Sequence, residues 1–410
     1  MCGINGIISK DKNKDKLIKS MNEKILHRGP DAEGIFVEGD VALGQRRLSI
    51  IDLAGGNQPI YNEDKSILIM YNGEVYNYKE LKEELTEYKF ETESDTEVVL
   101  HGYEKWGHDL PKKLRGMFAY AIYDKNKGEI FISRDQFGIK PLYYYHDGDT
   151  ILFGSEIKGF LAYPKFKKVL NKELLGAYLT FSFTPTDETF FKGVYRLPSG
   201  HSMTIDVKKR KIKIDRYFKV EFGNTDKSFD EVVEEIGKAM KDSTDHHLIS
   251  DVEVGSFLSS GVDSSYLVSL AKPDKTYTIG FDLAKYSEID YAKDLTDKLN
   301  IKNISEKISK EEYMNALSEV YYHMDEPTAD GCAIAVYFLS RLASKDVKVV
   351  LSGEGADEFF GGYNSYDDNF YTKLPFFIRK SMASICKILP KNKITRYIIR
   401  RGLPLEESYV

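Results

Sequence analysis

The sequence predicts two structural units, a layered α+β half followed by an α/β half with a parallel sheet. Residues 1–205 contain short stretches rich in Ile, Val, Tyr and Phe between turn signals, which is typical of an α+β unit. From residue 229 onward, helical patterns alternate with short apolar stretches, which is typical of parallel βα units. A length of 410 residues also favours more than one core. We therefore expect a first domain at residues 1–205, a polar linker at 206–228 and a second domain at 229–410.

Hydrophobic periodicity places the individual elements. In the first half, strands are predicted at residues 41–43, 66–71, 118–123, 129–133 and 151–153, and helices at 14–26, 79–85 and 95–106. In the second half, strands are predicted at residues 252–258, 276–281 and 347–351. Two of these strands run into loops rich in Ser, Gly and acidic residues, at 259–265 and 352–358. Because ligands bind beyond the carboxyl ends of parallel strands, we expect a binding site there.

Composition and charge narrow the function classes. The chain is 42% hydrophobic and 30% charged, and it has no apolar run near the ~20 residues that a membrane span needs. The net charge of -6 gives no general attraction to nucleic acid. Cys2, Cys332 and Cys386 lie far apart, which fits neither a disulfide framework nor a paired-cysteine metal site. Because no secretory signal opens the chain, we expect a soluble cytoplasmic protein that acts on small molecules, with no nucleic-acid partner.

The second residue is a candidate nucleophile. Met1 precedes the small residue Cys2, so we expect removal of Met1 to leave the thiol beside a free α-amino group. An α-amino group has a pKa of roughly 7.7 to 8.0 and a thiol one of roughly 8.5, so the amine can take the thiol proton near neutral pH. The alternative is that a cysteine at this position is accidental.

A set of motifs accompanies Cys2 along the first half. They are Cys2-Gly3-Ile4, HRGPD at residues 27–31, RRLSI at 46–50, Asn72-Gly73-Glu74, Ser94-Asp95 and RDQFGIKPLY at 134–143. Together they resemble the class II glutamine amidotransferase domain of the asparagine synthetase family. The resemblance implies an αββα sandwich of the N-terminal nucleophile hydrolase type, with glutamine as the ammonia donor.

The resemblance also implies roles for the residues of these motifs. Attack of a thiolate on the glutamine carboxamide creates an oxyanion, for which Asn72 and Gly73 supply the two donors. Arg47 binds the α-carboxylate of glutamine, while Glu74 and Asp95 bind its ammonium and amide groups. The alternative for the three charged residues is an ordinary surface salt-bridge network.

The stretch at residues 252–265 reads as a strand, a small-residue loop and a helix, which suits phosphate binding. It contains no GxxxxGK[ST] and resembles the pyrophosphate loop of N-type ATP pyrophosphatases (adenine nucleotide α-hydrolase-like proteins). Ser260 stands where a glycine is usual and would be strained if that position needs positive φ. The alternative is a plain turn. The expected ATP ligands are Ser259, Ser260, Gly261, Asp263 and Ser264, with Asp263 also holding Mg²⁺.

The second loop, at residues 352–358, resembles the Ser-Gly-Glu-Gly-Ser/Ala-Asp-Glu signature of asparagine synthetases. The resemblance makes Glu354 a catalytic carboxylate for forming and aminating an aspartyl adenylate, as the base toward ammonium. Phe257, Ile279, Ser352 and Gly353 would contact the nucleotide. Asp357 and Glu358 are better explained as charges at a helix N-terminus. A further segment, Asp325-Glu326-Pro327 with Ala329-Asp330-Gly331, resembles one that lies near the acyl-acceptor pocket in this family. The alternative is a proline turn with solvated acids.

The end of the chain is basic and amphipathic. Residues 373–401 contain Lys, Arg and regularly placed Phe and Ile, with no acidic residue. Family members continue past Tyr363 into a helical region, and we interpret residues 373–401 as the first part of that region. The alternative is a helix that binds anionic lipid.

We therefore expect an asparagine synthetase that converts glutamine, aspartate and ATP into asparagine, glutamate, AMP and pyrophosphate. The resemblance implies that ammonia crosses between the two sites through an interior channel, and a homodimer is compatible with the sequence. Two alternatives stay open: an amidotransferase with a different acceptor carboxylate, and a truncated product with glutaminase activity alone. Phosphosugar-using amidotransferases are disfavoured by the ATP loop of the second half.

Overall fold

The computed structural model describes residues 1–282, 287–328, 331–363 and 373–402, apart from the side chain of Arg400. Its first half contains two six-stranded antiparallel sheets. The first sheet, in spatial order, is Val194–Arg196 (β10), Tyr143–His146 (β8), Ile151–Gly154 (β9), Gly3–Ile8 (β1), Val41–Arg47 (β3) and Ala32–Glu38 (β2). The second is Lys211–Arg216 (β12), His201–Asp206 (β11), Glu129–Arg134 (β7), Gly116–Asp124 (β6), Ile67–Val75 (β5) and Ile60–Tyr61 (β4).

The two sheets pack face to face, and helices cover their outer faces. Leu43, Phe153, Met70 and Ile132 belong to the buried cluster between the sheets. A second cluster joins one sheet to helix α1 (Lys14–Lys24), and a third joins the other sheet to α2 (Tyr78–Glu84) and α3 (Asp95–Trp106). A short helix, α4 (Leu174–Phe181), follows. The layer order is therefore αββα, which confirms the expected fold of the first half.

The second half is built on a four-stranded parallel sheet. In spatial order its strands are Lys302–Ile308 (β15), Lys275–Phe281 (β14), Val254–Phe257 (β13) and Val349–Leu351 (β16). The helices are Phe229–His247 (α5), Val262–Ala271 (α6), Ile289–Leu299 (α7), Lys310–Met324 (α8), Cys332–Ala343 (α9), Ala356–Phe360 (α10), Phe376–Cys386 (α11) and Lys393–Arg401 (α12). Helices α8 and α9 pack on β14 and β15 in one buried cluster, while α6 and α7 share another. The expected α/β unit with a parallel sheet is confirmed.

One strand lies where a linker was expected. β12 falls within residues 206–228 and pairs along its whole length with β11, from Asp206↔Lys211 to His201↔Arg216. Its sequence Lys-Ile-Lys-Ile alternates with the period of a strand, so its isoleucines reach the core between the sheets while its lysines face solvent. The chain of the first half therefore runs at least to Arg216, and the exact division at 205 and 229 stays a prediction.

The basic C-terminal segment forms two helices, α11 and α12. They are joined by a hydrogen bond of 3.0 Å from Arg379 Nη1 to the carbonyl oxygen of Arg401. None of the helices in the described parts of the chain has the length and apolar character that crossing a bilayer requires.

Candidate active sites

Cys2 lies immediately before β1, in a pocket between the two sheets of the first half. Its Sγ accepts a hydrogen bond of 3.4 Å from the backbone N–H of Leu48, and its carbonyl oxygen accepts one of 2.9 Å from Arg28 Nε. Burial raises the pKa of the Cys2 thiol. The same burial lowers the pKa of the α-amino group of Met1, next to Cys2, to about 5. An amine in this environment is therefore unprotonated at neutral pH and can accept a proton.

Two residues on β5, Asn72 and Gly73, were expected to donate to the oxyanion, and this role stays a prediction. Asn72 is buried, and its Nδ2 makes no hydrogen bond within the described chain. An unsatisfied buried donor is costly, which points to a ligand that would satisfy it. Gly73 lines the pocket of Cys2, and a Cβ there would lie 2.6 Å from the carbonyl oxygen of Met117. The close approach of β6 therefore requires glycine at this position.

Glu74 and Asp95 bring two carboxylates to the same pocket. Asp95 Oδ2 accepts hydrogen bonds from the hydroxyl of Tyr71 at 2.7 Å and from the backbone N–H of Val75 at 2.9 Å. Glu74 Oε2 is buried without a hydrogen-bond partner in the described residues. Burial raises the pKa of both carboxyls, and the charge of Asp95 raises that of Glu74 further. A bound cation would relieve this, so the pair suits an ammonium group.

Arg47 lines the pocket but has already committed most of its donors. Its Nη2 donates to the carbonyl oxygens of Ile51 at 3.1 Å and Asp52 at 2.6 Å, and its Nη1 donates to Asn57 Oδ1 at 3.0 Å. These bonds hold the loop at residues 51–57 as one wall of the pocket. The described geometry thus gives Arg47 a wall-building role, and its expected contact with a glutamine carboxylate stays a prediction.

Sequence reasoning gave no role to Tyr71 or Lys140, and both belong to this site. Lys140 is buried; desolvation lowers its pKa, while the charges of Glu74 and Cys2 oppose that shift. Asp135 fixes the loop that carries it, because its Oδ2 accepts a hydrogen bond of 2.9 Å from the backbone N–H of Lys140. The motif at residues 134–143 marked this loop in the sequence, but only the folded structure shows that Lys140 is the side chain whose charge acts on Cys2.

The second site is a cavity of about 240 Å³ at the carboxyl end of the parallel sheet. Nine of the residues expected there line it: Phe257, Ser259, Gly261, Asp263, Ser264, Ile279, Ser352, Gly353 and Glu354. The two loops predicted from the sequence are thus brought together, because β13 and β16 are neighbours in the sheet. Glu288, Asp357, Glu358 and Tyr363 line the cavity as well.

The loop before α6 is ordered by its own hydroxyl groups. Ser259 Oγ and Ser264 Oγ lie 2.8 Å apart, and the backbone N–H groups of Ser259 and Gly261 each donate to one of these oxygens at 3.2 Å. Gly261 is the residue before the helix and supplies no side-chain cap. The first N–H groups of α6 therefore face the cavity without a capping oxygen, as an anion site requires.

Ser260 does not contribute to this cavity. Its hydroxyl donates a 2.8 Å hydrogen bond to Glu288 Oε1, and it is absent from the cavity lining. Its backbone also lies outside the left-handed region. The strain considered for a serine at this position therefore does not arise. Ser260 was expected to contact ATP, but it is not one of the residues that line the cavity.

Neither Asp325 nor Glu326 lines the ATP cavity. Both carboxylates instead contact the first half of the chain. Ala329 and Asp330, which follow in the same motif, lie outside the described residues.

Comparisons with known proteins identify a family for each half of the chain. The family described as glutamine amidotransferase domain matches residues 1–218, and the asparagine synthase family matches residues 235–399. Glutamine-hydrolysing asparagine synthetase 1 of Bacillus subtilis is 42% identical, over 100% of this chain and 67% of that protein. The chain belongs to the glutamine-hydrolysing asparagine synthetases.

Other asparagine synthetases give the same result at greater distance. Putative asparagine synthetase 2 of Methanocaldococcus jannaschii is 39% identical, over 92% of this chain and 79% of the relative. The putative enzyme of Mycobacterium bovis is 38% identical, over 93% of this chain and 63% of its own length. Among solved structures, a B. subtilis glutamine phosphoribosylpyrophosphate amidotransferase has a TM-score of 0.41 at 18% identity, over 74% of this chain and 65% of that chain, too low a score to support a conclusion.

The residues of the ATP cavity are compatible with a divalent cation. Asp263, Glu354, Asp357 and Glu358 place carboxylates around one cavity, and carboxylate oxygens are ligands that Mg²⁺ prefers. No group of three or more potential protein ligands is close enough to hold an ion by itself within the described residues. These carboxylates would therefore supply only part of the ligand set of a bound Mg²⁺ ion.

Proposed function

We propose that this chain makes asparagine from aspartate, with glutamine as the nitrogen donor and ATP as the activating substrate. The observation that carries the proposal is the pairing of two sites in one chain. One is a thiol pocket with two buried carboxylates, next to a strand that also carries the unpaired amide of Asn72, and the other is a cavity formed by two loops at the edge of a parallel sheet. The first suits glutamine and its tetrahedral oxyanion, and the second suits a nucleotide.

At the thiol pocket, Cys2 is the nucleophile. Removal of Met1 exposes the α-amine of Cys2 in surroundings that favour a neutral amine, so this amine accepts the thiol proton. Attack on the glutamine amide breaks its C–N bond through an oxyanion held by Asn72 Nδ2 and the backbone N–H of Gly73. Ammonia leaves, and water then hydrolyses the thioester to glutamate. The carboxylates of Glu74 and Asp95 hold the ammonium group of the substrate.

At the second site, the aspartate side chain attacks the α-phosphate of ATP, which releases pyrophosphate and forms an acyl adenylate. Ser259, Gly261 and Ser264 bind the departing pyrophosphate with hydroxyl and N–H groups. Asp263 would hold Mg²⁺, which would offset phosphate charge. Glu354 acts as the base toward ammonium, and ammonia then displaces AMP to give asparagine. An interior passage for ammonia and a cytoplasmic, dimeric protein belong to the same proposal.

This chain spans 67% and 79% of two relatives and 63% of a third. Hydrolysis of glutamine without synthesis is the second candidate function, because every residue that lines the thiol pocket belongs to the first half. A change of acceptor carboxylate is a variant of the first.

The two candidates are separated by measuring glutamate and AMP together. The purified chain is incubated with ATP, Mg²⁺ and aspartate, with either glutamine or an ammonium salt, and other carboxylates replace aspartate in parallel. We expect AMP with aspartate from either nitrogen source, and Cys2→Ala should lose only the glutamine-dependent reaction. If glutamate is released but no AMP forms with any acceptor, the chain has glutaminase activity only. Loss of both reactions in Cys2→Ala would contradict the two-site scheme.

A further inference from the structure

Two consecutive acids of the second half are bound entirely by the first half. Asp325 Oδ1 lies 2.9 Å from Lys158 Nζ, and Asp325 Oδ2 accepts a hydrogen bond of 2.6 Å from the backbone N–H of Ile157. Glu326 Oε1 accepts one of 3.0 Å from the N–H of Phe190, and Glu326 Oε2 accepts one of 2.8 Å from Arg196 Nη2. All four carboxylate oxygens therefore have partners across the boundary. We name Lys158, Arg196, Asp325 and Glu326 the acid latch.

The Lys158–Asp325 pair of the latch is buried, unlike another ion pair that joins the two halves. The side chains of Lys158 and Asp325 are 3% and 6% exposed, whereas those of Arg115 and Asp242, a pair elsewhere on the boundary, are 44% and 54% exposed. A pair exposed to this degree contributes about 0 to 1 kcal/mol, but removing one partner of a buried pair leaves an unpaired charge away from water. The buried pair therefore determines geometry at the boundary far more strongly.

The backbone conformation of Asp325 also indicates that contacts from the first half hold this segment in place. Asp325 has a φ of 62°, in the left-handed region that an ordinary side chain rarely adopts. Such a conformation persists where surrounding contacts hold it. The bonds from Lys158 and Ile157 supply those contacts, so the first half fixes the backbone at the end of α8.

The latch is also connected to the nucleophile. Lys158 Nζ forms a second ion pair with Glu156, and Glu156 Oε1 accepts a hydrogen bond of 3.0 Å from Arg28 Nη1. Arg28 in turn donates to the carbonyl oxygen of Cys2. Burial opposes ionisation of Glu156, but the hydrogen bond from His27 and the charges of Arg28 and Lys158 lower its pKa to about 2. A continuous set of charged groups thus runs from Cys2 to the second half.

We propose that the acid latch holds the two halves in the register that ammonia transfer requires, and that Lys158 and Arg196 are positioning residues for coupling glutamine hydrolysis to synthesis. This inference rests on the proposed function. Neither residue lines the thiol pocket or the ATP cavity. Loosening the latch therefore leaves each half-reaction in place but lets ammonia escape between them.

The test compares Lys158→Met and Arg196→Met with wild type and with the exposed-pair control Arg115→Met. Glutamate and AMP are measured at saturating glutamine, and AMP is measured separately with ammonium as nitrogen source. We expect the glutamate-to-AMP ratio to rise at least about two-fold in both latch variants, while ammonium-driven AMP formation stays within about two-fold of wild type. Arg115→Met should keep the wild-type ratio. Arg196 is more exposed than Lys158, so its variant decides the question if Lys158→Met does not fold.

Three results would overturn the latch. They are an unchanged ratio in a folded latch variant, an equal rise in Arg115→Met, or a parallel loss of ammonium-driven and glutamine-driven AMP. Failure of the proposed function would look different, because wild type itself would form no AMP from ammonium. The latch proposal would then fail as well, since it rests on that function.

Discussion

The hydroxyl of Tyr71 donates a 2.7 Å hydrogen bond to Asp95 Oδ2. This bond joins β5, which carries the proposed oxyanion donors, to the first residue of α3. Gln58 fixes the backbone of Tyr71 from the other side, because its Oε1 accepts a 2.6 Å hydrogen bond from the Tyr71 N–H. The side chain of Tyr71 therefore links two elements that form the pocket of Cys2, and no sequence motif had identified this residue.

Tyr71→Phe should weaken glutamine binding. The hydrogen bond helps keep Asp95 ionised against burial, so its loss raises the pKa of Asp95 further. A bond to a charged group contributes about 1.5 to 3 kcal/mol, so we expect KM for glutamine to rise roughly ten-fold at neutral pH and the acid limb of kcat/KM to move to higher pH. Tyr76→Phe removes a neighbouring hydroxyl and serves as control. Equal pH profiles for Tyr71→Phe and wild type would argue against this role.

Asn72→Ala should lower kcat for glutamine hydrolysis while leaving KM nearly unchanged. The Nδ2 group has no partner before the oxyanion forms, so its contribution falls on the transition state. Removing one such donor costs about 10² to 10³ in rate. Ammonium-driven AMP formation is the internal control and should not change. A KM effect with normal kcat would instead assign Asn72 to substrate binding.

Ser260→Gly should have little effect on ATP use. The Ser260 backbone is unstrained and its hydroxyl bonds Glu288, so restoring the usual glycine relieves nothing. We expect KM for ATP to change by less than about three-fold. Ser264→Ala is the comparison, since it removes the oxygen that orders Ser259, and a loss of about 1 kcal/mol per hydrogen bond would raise KM several-fold. A ten-fold gain in Ser260→Gly would show that this serine hinders the nucleotide.

His101 should stabilise the first half at neutral pH and lose this effect at alkaline pH. Burial alone would lower the pKa of His101, but its 2.7 Å hydrogen bond to Glu104 and its ion pair with Glu97 outweigh that and raise the pKa to about 9. Because the folded pKa is raised, this stabilisation is fully present below pH 6.5 and is lost as pH rises through 9. We expect the difference in unfolding free energy between wild type and His101→Gln to shrink by about 2 kcal/mol over that range.

Denaturant unfolding at several pH values measures this difference. His201→Gln, at an exposed ring, is the control and should show no such trend. A constant difference across the range would mean that His101 is neutral in the folded protein.

The sequence predicted residues that share a local segment better than residues that meet across the fold. Asn72, Gly73 and Glu74 are consecutive on β5, so one motif identified all three, and two of them, Gly73 and Glu74, line the pocket. Tyr71 lines the same pocket through strand pairing, and a loop conformation brings the charge of Lys140 near Cys2, which no local pattern records. Likewise, the sequence shows that Asp325 is acidic, but it does not show that Asp325 pairs with Lys158 of the other half. β12 differs, because its alternating Lys and Ile could have been recognised as a strand.

The pairing of β12 with β11 decides how the glutaminase half could be produced separately. A fragment that stops at residue 205 would lack β12 and would expose the backbone groups of β11, a row of unpaired donors and acceptors. Such an open edge recruits strands from other molecules, so this fragment would aggregate. A fragment that continues to residue 218 retains β12, whose lysines discourage self-association, and would remain dispersed in solution.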